Sequence, residues 1–353
     1  MVKSYIESTS LIILSCDIKV IGIISIFFTV DFIKFGLFCM PKIAIISRDY
    51  SAYKNALHDL QLTGELDDVE LIWANEHANG APLSDIEYAL ANPNIMSEYI
   101  DECVNLTWLQ STWAGINALG NKPKRDYQLT GLKNVFGAQM REYVIAYLLY
   151  FQRHIPELIS NQQQRQWQQY RIPTLQNQTM GIMGLGSIGK DVAIAAKAFG
   201  MRVYSLNAMS KPVEADRHFN LAQLYEFASK VDVIVNLLPH TNQTTGICDV
   251  TFFENMKAHA IFINAGRSNV INDDNDLVNA LNNRRIRGAV IDVFKTEPLS
   301  TEHPFWDTPN LLMTNHTAAT SQHELVFNVF KNNLRKKLQG LPLDSCINIE
   351  QGY

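Results

Sequence analysis

The chain has 353 residues, of which 47% are hydrophobic and 18% charged, with a formal net charge of −5. This length and composition are typical of an ordinary globular protein of about two domains. A net negative charge without a basic run argues against nucleic-acid partners and against a polybasic membrane surface. The 5 cysteines are scattered without a C-x-x-C pair, and no histidine or carboxylate cluster has metal-ligand spacing. We therefore predict no disulfide framework, no metal site and a reducing, cytoplasmic location.

The first 39 residues are apolar but are interrupted by charges. Asp17 and Lys19 break any signal-peptide core, and the uncharged piece at residues 20–30 is shorter than the ~20 residues that a helix needs to cross a bilayer. We therefore expect neither a membrane anchor nor a cleaved signal. We predict instead that Met40 is the biological start and that residues 1–39 are a non-native or disordered leader.

Beyond Met40, short apolar runs alternate with segments of helical spacing, which predicts parallel sheets covered by helices on both faces. In the first half the predicted strands are 43–46, 69–73, 106–110 and 127–129, with helices over 50–60 and 85–100. In the second half the predicted strands are 180–183, 202–206, 231–237, 260–264, 288–293 and 311–314. The second set has the strand count of a complete doubly wound dinucleotide-binding domain.

We predict two doubly wound, parallel-sheet α/β domains. A flavodoxin-like substrate domain would comprise residues 40–136 and 321–353, and a Rossmann dinucleotide-binding domain would comprise residues 137–320. A long apolar helix over 137–158 would open the second domain. A final helix over 321–337 would cross back to the first.

A glycine-rich turn follows the first strand of the second half. The segment TMGIMGLGSIGKDVAIAAKAFG holds Gly184, Gly186 and Gly189 in the spacing G-x-G-x-x-G, between an apolar strand and an alanine-rich helix. This is the context that a dinucleotide fingerprint requires. Gly186 would let a pyrophosphate approach the backbone, while the other two allow a tight turn and close packing. The helix start at Ser187 and Ile188 would direct N–H groups at the phosphates.

The end of the next strand bears on cofactor choice. An acidic residue there would bind the 2′-hydroxyl of NAD and repel a 2′-phosphate. This chain has the neutral Asn207, with Ser210 and Lys211 close behind. Since the repulsion is absent and a cation is near, the sequence favours NADPH. A merely solvated Lys211 would leave NADH as an alternative.

Three residues with chemistry follow successive later strands. Arg267 closes the segment NAGR, Glu297 lies in DVFKTEP, and His316 lies in TNHTAAT. An arginine can bind a carboxylate through a bidentate fork, and a histidine is the side chain best suited to carry a proton at neutral pH. Because the carboxyl ends of parallel strands face one crevice, we expect these side chains to meet there.

Taken together, these motifs resemble the D-isomer-specific 2-hydroxyacid dehydrogenase family. The resemblance is carried by NAGR with Arg267, DVF and EP with Asp292 and Glu297, His316 followed by an alanine, and GLGSIG. The segments TWAG and IW are similar to the glyoxylate/hydroxypyruvate reductase A branch of that family. Two positions depart from the pattern: Asn315 stands where the family usually has proline, and LNAMSK replaces an arginine-bearing turn of the branch.

The resemblance implies hydride transfer from NADPH or NADH to a small 2-oxo acid such as glyoxylate or hydroxypyruvate. His316 would donate a proton, Glu297 would pair with it, and Arg267 would hold the substrate carboxylate. Further implied substrate contacts are the backbone N–H groups of Ala114 and Gly115 and the rings of Trp73 and Trp113, which could equally be core residues. Further implied cofactor contacts are Leu238, Pro239 and Asp292. The family also implies a homodimer, for which we predict the helix over 137–158 as the interface.

Two alternatives stay open. An enzyme of the same family could act on another 2-hydroxy acid, such as D-lactate or 3-phosphoglycerate. A phosphorylated substrate would need extra cations near residues 111–117, a loop that carries none. A non-catalytic dinucleotide-sensing protein would need the glycine turn but not Arg267, Glu297 and His316.

Overall fold

The computed structural model describes residues 40–66, 68–207 and 213–349. The leader predicted for residues 1–39 lies outside the described residues, and so do Ser210 and Lys211 of the predicted cofactor site. None of the helices in the described ranges is long and apolar enough to cross a lipid bilayer. From Lys42 onwards the chain forms one compact unit that contains two parallel sheets.

The first sheet has five strands, and α-helices follow three of the first four along the chain. Its strands are β1 (Lys42–Ile46), β2 (Glu70–Asn75), β3 (Tyr88–Ala91), β4 (Trp108–Ser111) and β5 (Gln128–Thr130), and the intervening helices are α1 (Tyr50–Leu62), α2 (Pro93–Met96) and α3 (Asn117–Gly120). All pairs are parallel, in the order β2-β1-β3-β4-β5. This is the strand order of flavodoxin-like domains, so the fold class predicted for the first half is confirmed.

The helix predicted over 85–100 is wrong. That segment contains the strand β3, which pairs with β1 on one side and β4 on the other, and only the four residues of α2 after it are α-helical. Every residue of β3 is buried, because helices cover both faces of the sheet. A short, continuous apolar run of this kind cannot be distinguished from a buried helix by periodicity alone. The Asn92–Pro93 step after Ala91 was the available sign of a boundary.

The second sheet has seven strands, in the Rossmann order extended by one strand. The strands are β6 (Thr179–Met183), β7 (Arg202–Leu206), β8 (Arg217–Phe219), β9 (Val233–Asn236), β10 (Ile261–Asn264), β11 (Gly288–Ile291) and β12 (Leu311–Met313). Their order across the sheet is β12-β11-β10-β9-β6-β7-β8, all parallel. The predicted fold class is confirmed, and the strand that the sequence missed is the edge strand β8, which has only three residues.

The helices that accompany this sheet begin before it. They are α4 (Gly137–Gln152), α5 (Ile155–Gln164), α6 (Ser187–Ala198), α7 (Leu224–Lys230), α8 (Val250–Asn255) and α9 (Asp274–Asn282), and a C-terminal helix, α10 (His323–Leu338), follows the last strand. The buried side of α10 packs on the first sheet, where Phe330 stacks on Trp108 with ring centroids 5.4 Å apart.

The single helix predicted over 137–158 is two helices. The first ends at Gln152, His154 has a left-handed backbone with φ of 55°, and Pro156 lies in the first turn of α5. A proline inside one continuous helix would remove a hydrogen bond and clash with the preceding turn, so the chain restarts there. The apolar stripe of α4, including Met140, Val144 and Leu148, is buried in the core of the second domain.

Candidate active site

The glycine turn lies at the carboxyl end of β6, where the strand order reverses between β6 and β9. Gly184 has φ of 89°, and a Cβ atom there would lie 2.9 Å from the backbone of Leu237. A Cβ atom on Gly189 would lie 2.8 Å from the carbonyl oxygen of Gly184. Gly186 differs, because a Cβ atom there would meet no atom within 4 Å. Gly184 and Gly189 therefore satisfy tight packing, and Gly186 faces open space.

The N-terminus of α6 supplies donors beside that space. The N–H groups of its first turn, at Ser187 and Ile188, lack the intrahelical partners that later residues have, and no side chain in the described ranges caps the helix in their place. Free N–H groups and the positive end of the helix dipole are suited to bind phosphate. The cradle therefore fits the pyrophosphate of a dinucleotide.

Asn207 is fastened to the glycine turn. Its Oδ1 accepts a hydrogen bond of 2.7 Å from the backbone N–H of Leu185. Because the oxygen is engaged there, the side-chain NH₂ group is the end left to face a ligand. An NH₂ group can donate to a ribose hydroxyl or a phosphate oxygen, whereas an aspartate at this position would bring a negative charge.

Two buried asparagines hold the turn that carries Arg267. Asn236 and Asn264 close the neighbouring strands β9 and β10, both are fully buried, and their amides meet at 2.8 Å. Asn264 also donates to the backbone oxygen of Arg267 at 3.2 Å. Sequence reasoning missed this pair, although an asparagine that closes an otherwise apolar strand was a usable signal.

The Arg267 guanidinium lies between the two domains. Its Nη1 donates to the backbone oxygen of Gly266 at 2.8 Å, and a Cβ atom on Gly115 would lie 2.5 Å from its Nη2. Burial lowers the pKa of Arg267, and the negative charge of Glu297 opposes that effect. An arginine nevertheless stays charged at neutral pH. The structure therefore brings together the arginine and the glycine loop that the sequence proposes for one carboxylate.

The loop after β4 is fixed so that its N–H groups are available. The Ser111 hydroxyl donates to the Trp113 carbonyl oxygen at 2.7 Å, and Ser321 donates to the Thr112 carbonyl oxygen at 2.8 Å. Within the part of the chain that the structure describes, the N–H groups of Ala114 and Gly115 have no acceptor. Two free donors beside a guanidinium make a site suited to an anion.

The two predicted substrate tryptophans, Trp73 and Trp113, lie in different segments of the first domain. Trp73 lies on β2, half-buried against the core, and its indole N–H donates to the backbone oxygen of His77 at 2.9 Å. Trp113 is also half-buried and precedes Ala114 in the loop. Their role in lining a substrate pocket stays a prediction.

His316 and Glu297 form the hydrogen-bonded pair that the sequence predicts. Nδ1 of His316 lies 2.8 Å from one carboxylate oxygen of Glu297, and the other oxygen accepts the N–H of Phe294 at 2.9 Å. A carboxylate partner fixes the proton of a histidine on Nδ1. Among the described residues Nε2 of His316 has no partner, and the side chain is 56% exposed. The imidazole thus presents Nε2 to whatever binds in front of it.

The His316 loop has an unusual backbone. Asn315 and His316 are both left-handed, with φ of 48° and 57°. Such a conformation costs roughly 1–2 kcal/mol per non-glycine residue, so the surroundings must hold it. Asp292, which is 1% exposed, accepts hydrogen bonds from the Thr314 hydroxyl at 2.6 Å and the Thr317 N–H at 2.8 Å. Its carboxylate therefore anchors this loop, and a further role toward the cofactor stays a prediction.

Leu238 and Pro239 follow β9 at the same edge of the sheet. The N–H of Leu238 donates to Asn236 Oδ1 at 3.2 Å, and Thr244 donates to the backbone oxygen of Pro239 at 2.7 Å. The next residue, His240, lies 3.4 Å from Asn117 of the first domain. Sequence reasoning missed this contact, which joins the two domains beside the glycine loop.

Comparison with known families gives a match that lies within the second domain. Residues 145–318 match the family described as D-isomer specific 2-hydroxyacid dehydrogenase, NAD binding domain. Among curated proteins, the chain is similar to glyoxylate/hydroxypyruvate reductase A of Yersinia enterocolitica, with 33% identity over 216 residues, which cover 61% of this chain and 69% of that protein. The protein of the same name from Serratia proteamaculans has the same identity and coverage.

Solved structures resemble nearly all of the described chain. A D-isomer specific 2-hydroxyacid dehydrogenase family protein from Aeromonas salmonicida has a TM-score of 0.81 and 32% identity, covering 88% of this chain and 99% of its own. An NADPH-dependent glyoxylate/hydroxypyruvate reductase from Sinorhizobium meliloti, in complex with NADP and sulfate, has a TM-score of 0.75 and 26% identity, covering 89% and 100%.

Proposed function

Because this chain belongs to the D-isomer specific 2-hydroxyacid dehydrogenase family, we propose that it reduces glyoxylate and hydroxypyruvate to 2-hydroxy acids with NADPH. The curated relatives reported above are named for these two substrates. One observation carries the proposal. Glu297, which pairs with His316, is close enough to Arg267 for their charges to interact, and Arg267 lies against the Gly115 loop. A proton donor and a carboxylate site are thus combined.

In the proposed mechanism each residue has a separate task. The reduced nicotinamide supplies a hydride for the carbonyl carbon when it is bound. Arg267, together with the N–H groups of Ala114 and Gly115, holds the substrate carboxylate by charge-assisted hydrogen bonds. His316 gives the proton on Nε2 to the oxygen that becomes the hydroxyl, and Glu297 keeps Nδ1 engaged so that the ring stays oriented.

NADPH is the proposed cofactor. The open space at Gly186 and the uncapped N-terminus of α6 support the binding of a dinucleotide pyrophosphate. The neutral side chain of Asn207 supports acceptance of a 2′-phosphate. The related reductase from Sinorhizobium meliloti is described as NADPH-dependent.

Asn207→Asp is expected to reverse cofactor preference. The new carboxylate would keep an oxygen for the Leu185 N–H but would place a negative charge against the 2′-phosphate. Since like charges at a binding contact cost several kcal/mol, the ratio of kcat/KM for NADPH to that for NADH should fall by roughly tenfold or more. The control is Asn282→Asp, an exposed position at the end of α9, on the opposite edge of the sheet. An unchanged ratio in the Asn207 variant would reject the assigned role.

Steady-state kinetics with a panel of 2-oxo acids tests the function. Glyoxylate, hydroxypyruvate, pyruvate and 3-phosphohydroxypyruvate should each be measured with NADPH and with NADH. We expect the highest kcat/KM for the first two. A preference for pyruvate or the phosphorylated acid would favour another dehydrogenase of this family. Tight NADPH binding without oxidation by any of the four would favour a dinucleotide-sensing protein.

We propose that residues 40–136 and 321–353 form the substrate domain and residues 137–320 the dinucleotide domain. The packing of the apolar cores supports these boundaries, since Val326 and Phe330 of α10 share a cluster with β1 and β4. Limited proteolysis should cut first near residues 136 and 320. Early cuts within the sheets instead would contradict the division.

A homodimer is the proposed assembly, and the surface of α5 is its proposed interface. The stripe of α4 is occupied by the core, whereas Ile155, Leu158 and Ile159 of α5 are exposed. Ile159→Glu should therefore lower the dimer fraction in sedimentation velocity, because a charge would have to be buried. Leu62→Glu, at an exposed leucine ending α1, is the control. A monomeric wild-type protein would refute the proposal.

The cytoplasm is the proposed location. Cys103, Cys248 and Cys346 are free thiols, and burial raises the pKa of Cys103 to about 11, so it stays protonated at neutral pH. Free thiols are characteristic of proteins in reducing compartments. Cell fractionation tests the assignment, and recovery of the protein in a secreted fraction would contradict it.

A further inference from the structure

A chain of partly buried hydrogen bonds connects α4 to the loop of His316. The Tyr143 hydroxyl lies 2.7 Å from the hydroxyl of Thr314, which in turn donates to Asp292 at 2.6 Å. Tyr143 lies near the middle of α4, far from Thr314 in sequence, and its side chain is buried. Neither Tyr143 nor Thr314 has a task in the mechanism proposed above.

The direction of this chain follows from the chemistry of its members. A threonine hydroxyl has one hydrogen, and Thr314 donates it to Asp292 Oδ1. The hydrogen between Tyr143 and Thr314 must then come from the tyrosine. Burial raises the pKa of Tyr143, which keeps its hydroxyl protonated as a donor throughout the range of an enzyme assay.

Asp292, at the end of this series of hydrogen bonds, holds the backbone conformation of the His316 loop. Asp292 Oδ1 accepts the N–H groups of Thr317 at 2.8 Å and Ala318 at 3.1 Å, while the Asp292 backbone oxygen accepts the N–H of His316 at 2.7 Å. Two successive left-handed residues would relax without such restraint. Fixing the Asp292 carboxylate therefore fixes the direction in which the imidazole points.

We propose that Tyr143, acting through Thr314 and Asp292, is a positioning residue that sets the orientation of His316 for proton transfer; this inference rests on the proposed function. Among the described residues, Tyr143 has no hydrogen bond to His316 or Glu297, so its hydroxyl can act on the imidazole only through Thr314. The ring of Tyr143 serves packing, since it meets Tyr147 edge-on with centroids 4.6 Å apart. The hydroxyl and the ring can thus be separated by mutation.

Four variants test this. Tyr143→Phe removes the hydroxyl and keeps the ring, and Thr314→Val removes the next link at nearly constant volume. Thr314→Ser keeps that link and should behave as wild type. Tyr147→Phe removes a neighbouring hydroxyl from the same helix that has no partner among the described residues, and it is the matched control.

We expect Tyr143→Phe and Thr314→Val to lower kcat by roughly 10- to 100-fold, the scale of a small misplacement of a catalytic group, with little change in KM for glyoxylate or in NADPH affinity. Equal losses in Tyr147→Phe, or normal kcat in both test variants, would overturn the proposal. A loss in Thr314→Ser as large as in Thr314→Val would also overturn it, because the hydroxyl would then not be the active feature.

A second readout does not depend on turnover. In protein labelled with ¹³C at histidine Cε1, the His316 signal is assigned by its loss in His316→Asn. It should shift or broaden in Tyr143→Phe and stay unchanged in Tyr147→Phe. If wild-type protein reduced no 2-oxo acid, the proposed function would fail while this spectrum still decided the inference. If the wild type were active and the His316 signal unmoved in Tyr143→Phe, the inference alone would fail.

Discussion

Replacing His316 with alanine is expected to lower kcat by ~10²–10⁴-fold, the usual cost of losing a general acid. The side chain is exposed and, within the described part of the chain, hydrogen-bonded to Glu297 alone, so its removal leaves no buried group there without a partner. NADPH affinity should therefore be retained, because the glycine turn proposed to bind the pyrophosphate follows a different strand, β6. Steady-state kinetics together with fluorescence titration of NADPH measures the two effects separately.

The chain offers a matched control for that experiment. His259 is also an exposed histidine bonded to a carboxylate, with Nε2 2.9 Å from Asp232, but it precedes β10 at the opposite edge of the sheet. His259→Ala should leave kcat unchanged. Full turnover in His316→Ala would reject the proton-donor role, and equal losses in both variants would indicate a general effect on folding.

Replacing Arg267 with alanine is expected to lower kcat/KM for glyoxylate by roughly 10²–10³-fold, equivalent to ~3–4 kcal/mol of lost charge-paired binding. Both KM and kcat should change. KM should rise because the substrate carboxylate loses its cation, and kcat should fall because the substrate carbonyl is no longer held toward His316. Arg267→Lys should recover only part of the loss, since an ammonium group cannot form the planar two-pronged contact of a guanidinium.

Gly115→Ala provides an independent approach to the same site. The added methyl would lie 2.5 Å from Nη2 of Arg267, so the guanidinium would have to move while its charge remained. A rise in KM for glyoxylate without a change in NADPH affinity is the expected result.

The matched control for Arg267→Ala is Arg285→Ala, which removes an exposed arginine near the other edge of the sheet. If KM and kcat were unaffected in Arg267→Ala, the carboxylate-binding role would be wrong.

Side chains at the ends of parallel strands could be located from the sequence. Glu297 and His316 follow different strands, yet their 2.8 Å contact was predicted because all carboxyl ends of such a sheet face the same edge. The approach of Arg267 to the Gly115 loop joins two different sheets, and it was expected from the family resemblance alone. The topology thus determines much of the arrangement of these site residues. Where the topology is recognised, the local sequence pattern is enough to place a side chain at the end of its strand.

The supporting polar network could not be derived in this way. The Asn236–Asn264 contact and the bond from Tyr143 to Thr314 join residues that are distant in sequence, and neither pair has a periodic signature. In the sequence pattern of a helix, a buried tyrosine cannot be distinguished from the other apolar positions. Its hydroxyl acquires a partner only when the tertiary packing is known, which is why the anchoring role of Asp292 was also missed.

The handedness of Asn315 constrains protein engineering. Proline, the usual family residue at this position, has a ring that holds φ near −65°, whereas Asn315 has φ of 48°. Installing the family residue alone would demand a backbone that the neighbouring tethers to Asp292 oppose. The segment from Thr314 to Ala318 should therefore be exchanged between relatives as one unit. Single substitutions toward the family sequence in this loop are expected to lower activity.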